Sequence, residues 1–122
     1  MNHEMILQNL RKEFSGRKII CLPEDGPLEI IVELEADEQQ STAIAIIDRS
    51  IEHVHHVMIE RYIVETGVLR VHVDDETCTL YPGDKIDIYP GQAHWAEGVA
   101  TRVRIIATPP WTPGDHHLVK TN

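Results

Sequence analysis

Residues 53–67 read His-Val-His-His-Val-Met-Ile-Glu-Arg-Tyr-Ile-Val-Glu-Thr-Gly, and the reading of the whole chain turns on this stretch. His53 and His55 stand two apart. On a β-strand that spacing points both imidazoles to one face, because side chains alternate with a period of two. The four residues 56–59 suit a turn, after which Glu60 opens a second strand and brings a carboxylate back beside the imidazoles across a hairpin. His94 follows a Pro90-Gly91 turn and is placed to supply a fourth donor from elsewhere in the fold. A lone histidine is usually an ordinary polar residue, but four donors in this pattern favour a metal site. Imidazoles with one carboxylate suit a single borderline first-row divalent ion: Zn, Mn, Fe, Co or Ni. His56 has the wrong parity and is expected outside, or else in place of His55. Tyr62 shares the parity of Glu60, so its hydroxyl is a candidate donor or proton relay as well as an ordinary buried hydroxyl.

Downstream the two-residue period persists. Leu69, Val71 and Val73 alternate with Val68, Arg70 and His72, which sets the first group toward a core and His72 outside. The same parity places Cys78 with Leu80 inward, then Ile86 with Ile88, then Val103, Ile105 and Ala107. Trp95, next to His94, is expected to face away from the metal. Upstream, residues 18–22, 28–35 and 42–48 read as strands divided by turns at 23–27 and 36–40. Ile6, Leu10 and Phe14 suit one face of a short helix over residues 5–14, with a peripheral strand as the alternative. Many short strands separated by Gly and Pro turns indicate an all-β sandwich or barrel.

The arrangement resembles the cupin superfamily, whose first motif is H-x-H, three or four residues, E, six residues, G. His53, His55, Glu60 and Gly67 match it residue for residue. The second motif, G, five residues, P-x-G-x-x-H, three residues, N, is matched by Gly83, Gly91 and His94. Ile47 stands at the family's leading glycine, Tyr89 at its proline and Gly98 at its closing asparagine. The resemblance implies one cupin domain over residues 1–122, a double-stranded β-helix or jelly-roll barrel, with its motifs at 53–67 and 83–98. It also implies one divalent metal ion held by His53, His55, Glu60 and His94. The ending, Thr108-Pro109-Pro110-Trp111 followed by Asp115-His116-His117, loosely resembles small sugar-isomerase-like cupins. The expected function is metal-assisted isomerisation or epimerisation of a small sugar-like or oxo-acid molecule. Fe(II) dioxygenase chemistry and non-catalytic binding or sensing are the alternatives.

Composition narrows the partners. Eleven Lys and Arg face 20 Asp and Glu in 122 residues, a formal charge of −9 that repels phosphate backbones and anionic lipid. Nucleic acid and membrane are therefore poor expectations, and a small-molecule ligand is the better one. Cys21 and Cys78 form no CxxC pair, and residues 1–14 lack the apolar core of a signal peptide, so a cytoplasmic setting is expected. The apolar runs 28–32 and 43–47 are expected to pair across a two-fold homodimer. Trp111 is read as a packing plug or a lid, and His116 and His117 as solvated or as an accessory site.

Overall fold

A computed structural model describes residues 1–119 of the chain. A short helix, α1 (His3–Glu13), is followed by β1 (Ile19–Leu22), β2 (Glu29–Ala36), β3 (Ser41–Arg49), β4 (His53–Val54) and β5 (Ile59–Thr66). Then come β6 (Leu69–Val73), β7 (Glu76–Leu80), β8 (Lys85–Ile88) and the long β9 (His94–Thr108). A one-turn 3₁₀ helix (Pro113–Asp115) and β10 (His117–Leu118) close the described chain. The ten strands form one curled antiparallel sheet. β9 is its spine: one face of the register carries β3, while β4, β5 and β6 pair along different parts of its length.

The sequence produces two apolar layers because β2 and β3 are apolar on both faces. Ala45 and Ile47 point into the barrel with Leu69, Val71, Val103 and Ile88. Ile44 and Ile46 point the other way, with Ile30 and Val32, under Leu10 of α1. Each such side chain, fully buried, contributes roughly 1.5–3 kcal/mol. The helix exists to cover this outer layer, and its ends are held separately. Asn2 accepts the Met5 amide at 3.2 Å at the N-terminus. At the other end Arg102 of β9 donates to both Glu13 oxygens, at 2.7 and 2.6 Å, and to Glu65 at 2.8 Å.

Two expectations need correcting. Runs 28–32 and 43–47 are not free edges, since β2 lies between β1 and β3, and β3 between β2 and β9. Their main-chain groups are already paired within the chain, and their outer apolar faces lie under α1, so neither run is available for edge pairing with a second copy. Cys78 shares the face of its cross-strand partner Val71 but is exposed. Its strand pairs only with β6 and is an edge, and the core covers this face at Leu80 and Val71 but stops short of Cys78. The helix, the three upstream strands and the inward sets on β6, β8 and β9 stand as expected from the periodicity.

Candidate metal centre

Four side chains, three from strands and one from a loop, meet at one end of the barrel. The expected hairpin is corrected, since β4 ends at Val54 before His55 and pairs with β9 and β10, while β5 pairs with β8 and β9. β4 presents His53, and the chain leaves that strand at once through His55 and the loop 56–58. β5 returns with Glu60, and β9 opens on His94, which is register-paired with His53. All four are buried, and one donor atom from each lies within 4.8 Å of every other. The residues proposed from motif spacing are thus brought together, and His56 is not among them. It stacks instead on His117, at 4.0 Å between ring centroids.

The hydrogen bonds behind these rings set what the cluster can hold. Nδ1 of His53 lies 2.8 Å from the Ile51 carbonyl, that of His55 2.6 Å from the Asp115 carbonyl, and that of His94 3.0 Å from the Gln92 carbonyl. A carbonyl only accepts, so each Nδ1 carries the proton and each neutral ring turns an Nε2 lone pair toward the others. His94 Nε2 lies 3.1 Å from Glu60 Oε1. His55 Nε2 is 3.5 Å from Glu60 Oε2 without hydrogen-bond geometry, and it is a buried nitrogen with no partner. Lone pairs facing a carboxylate in a buried space repel unless a cation lies between them, either a proton or a metal ion. A divalent ion fits this donor set on every count: neutral imidazoles with fixed tautomers, one carboxylate and an orphaned lone pair.

Ionisation follows the same pattern. Burial, and then the neighbouring His94, depress His53 to about 3, keeping it neutral as a ligand must be. Burial opposes protonation of His55, but the Glu60 carboxylate beside it outweighs burial and raises it. Burial would raise Glu60, yet its contacts with His55 and His94 win and hold it well below the usual carboxylate range.

A cavity of about 460 Å³ opens onto this cluster, within the range of small-molecule sites. Small residues make room for it, Ala43 on β3 and Ala107 on β9, while His53 and Glu60 lie at its metal end. Tyr62 lines it as its parity requires, and burial, with Glu60 and Glu29 nearby, raises its phenol well above the ordinary value. Glu29 lines the wall contributed by β2. It is 8% exposed, and its carboxyl makes no hydrogen bond to any described residue. Burial, and then repulsion from Glu60, push it up to about 8. The sequence carried one signal for Glu29: a carboxylate between Leu28 and Ile30 in an apolar strand.

The C-terminal segment also departs from expectation. Far from being solvated, His116 is half-buried, stacks on His53 at 4.3 Å and 21°, and lines the cavity with Trp111. Trp111 is fastened through its amide to Ser41 Oγ at 2.9 Å. Asp115, which spacing gave no reason to single out, is buried and accepts the backbone amides of His56, Val57 and Met58. Burial would raise its carboxyl, but those amides hold it below the usual range. Trp95 does face away from the cluster, stacked on His72 at 4.0 Å with the Arg49 guanidinium 4.7 Å from its ring.

No protein-family model matches the sequence, and no curated protein does. Solved structures do match. Pac13 of Streptomyces, a nucleoside dehydratase with variants solved with uridine, superposes with a TM-score of 0.74 at 13% identity over 85% of each chain. An RmlC-like cupin from Shewanella frigidimarina gives 0.67 at 18% identity, covering 83% of this chain and 90% of that one. KdgF from Halomonas sp. gives 0.66 at 16% identity, over 75% and 87%. The chain has the cupin fold.

The three departures from the cupin motifs have local explanations. Ile47 is fully buried and fills the barrel where the motif has glycine. Tyr89 is exposed and donates its amide to Gln92 Oε1 at 2.9 Å, closing the turn before His94 without proline. Gly98 leaves no space for a side chain, since a Cβ there would press on Thr101 Oγ1 and the Val68 carbonyl. Of the matched glycines, Gly91 shows why the residue is needed: its φ of 86° is left-handed, and its amide reaches the carbonyl of His55 at 2.8 Å. Among the described residues no helix is long and apolar enough to cross a membrane.

Proposed function

We propose that this cupin is a metal-dependent enzyme that moves protons on a small, neutral, sugar-like molecule, by isomerisation or epimerisation. The observation that carries the reading is the unpartnered, buried Nε2 of His55 in a cluster of fixed-tautomer histidines, two of whose four donors, His53 and Glu60, line the cavity. His53, His55, Glu60 and His94 would hold the ion. A divalent ion bound there supplies Lewis acidity toward a carbonyl or hydroxyl oxygen.

The chain's own groups set the rest. Tyr62 keeps its proton, so it donates a hydrogen bond to a substrate oxygen and is the candidate proton relay. Glu29, raised to about 8, is also largely protonated at neutral pH and faces the same space. Charge favours the sugar-like substrate over an oxo-acid. Glu29, Glu33, Glu35 and Glu60 line the cavity, and among the described residues no Lys or Arg does. The nucleoside dehydratase activity of Pac13 is consistent with a neutral, hydroxylated substrate on this fold, although the likeness extends only to the fold.

The test begins with metal content by plasma mass spectrometry on untagged protein, with His55→Ala and His94→Ala beside it. About one equivalent of metal in the wild type, absent from both variants, is expected. Loaded protein incubated with neutral sugars and nucleosides in D₂O should then exchange deuterium into carbon-bound positions, read by NMR. Iron with substrate-dependent oxygen uptake would replace this reading by a dioxygenase. Tight ligand binding with no exchange would leave a binding module.

A further inference from the structure

We propose that the C-terminal strap, residues 109–119, is a built part of the metal centre, with Asp115 as the residue that positions His55; this rests on the metal reading above. Asp115 acts at two points at once. Its backbone carbonyl takes the Nδ1 proton of His55 at 2.6 Å. Its carboxylate takes the amides of His56 at 2.7 Å, Val57 at 3.1 Å and Met58 at 2.9 Å. Those three residues are the start of the link between ligand His55 and ligand Glu60. One residue therefore fixes the ring of one ligand through its carbonyl and the path of the backbone toward the next through its carboxylate.

The rest of the strap repeats the pattern. His116 stacks on His53, His117 stacks on His56, and β10 pairs with β4 through His117↔Val54 and Leu118↔His53. Every residue from 115 to 118 thus contacts the segment 53–58. An imidazole without a partner for Nδ1 is free to change tautomer and rotate, and an ordered carbonyl there holds the Nε2 lone pair on the ion. Linkage then runs both ways: if the docked strap favours the ion, the ion stabilises the docked strap by the same free energy.

The experiment uses full-length, untagged protein with Co(II) and Zn(II) as probes. Asp115→Ala keeps the carbonyl but removes the carboxylate that anchors it against residues 56–58, so the His55 ring loses its fixed partner. Co(II) affinity should weaken about 10–100-fold, the range for residues standing behind metal ligands, and the visible absorption of the bound ion should change. Asp115→Asn keeps one acceptor oxygen and should fall between the two. In the wild type, Zn(II) should slow amide hydrogen exchange at Val57 and Met58. A folded Asp115→Ala protein with unchanged Co(II) affinity and spectrum would overturn the proposal, leaving Asp115 a clamp on the loop alone. Should that variant not fold, Asp115→Asn carries the same comparison, and the absence of Zn(II)-dependent slowing in the wild type overturns the proposal independently. A wild type that binds neither ion sinks the metal reading and this proposal together; a wild type that binds both, with indifferent Asp115 variants, sinks this one alone.

Discussion

Two carboxyl groups from different strands line the same cavity, Glu60 on β5 and Glu29 on β2, and they are almost equally buried, at 5% and 8% exposure. Their chemistry is opposite. Glu60 has Nε2 atoms of His94 and His55 at 3.1 and 3.5 Å and is held ionised, whereas Glu29 has no partner and is pushed up to about 8. Burial alone penalises both charges, so partners decide the outcome. The Glu60 wall is built for a cation. On the proposed reading, the Glu29 wall suits a neutral molecule, toward which a protonated carboxyl can donate.

The largest expected effect comes from Glu60→Gln, which removes the only charged donor in the cluster. Metal affinity should fall by more than about 100-fold, beyond the 10–100-fold typical of residues behind the ligands, as read by competition with a chromophoric chelator. Glu29→Gln should leave metal content unchanged, and an equal loss in both variants would erase the contrast between the walls.

The next effect is in stability against pH. Glu29 ionises near 4.5 when unfolded and near 8 when folded, so the folded protein binds the extra proton across that window. Its contribution is therefore fully present below pH 4.5 and is lost as pH rises through 8. In metal-free protein, Glu29→Gln should remove this decline, with a slope of at most about 1.4 kcal/mol per pH unit. Melting temperatures of wild type and variant should diverge in the variant's favour from pH 5 to pH 8, a range chosen within that window. A constant offset would mean that Glu29 ionises as an ordinary carboxylate. Smallest of all is Tyr62→Phe on metal binding, where no change is expected, because the hydroxyl belongs to the cavity and not to the donor set. A loss of metal there would make Tyr62 part of the Glu60 wall.

Much of the site was legible before the fold was seen. His53, His55 and Glu60 lie within one short stretch, 53–60, so their spacing constrains their relative position locally even though β4 and β5 do not pair with each other. His94 was legible through the spacing of the second motif. Glu29 was not, because β2 is apolar on both faces, and only the packing of α1 over Ile30 and Val32 shows that Glu29 and Ile31 face the barrel. Cys78 was misplaced for the complementary reason: parity gives the face of a strand but does not say whether anything covers it.

The sequence by itself determined the strands, their turns and three of the donors, since each depends on residues near one another in the chain, while the fourth, His94, was legible only through motif resemblance. Only the tertiary structure decided what stands behind and across from them. Asp115 reaches His55 across 60 residues, and β2 brings Glu29 into the cavity that Glu60 lines. Such partners are chosen by how the sheet closes and what layer covers it, and no local period records that closure.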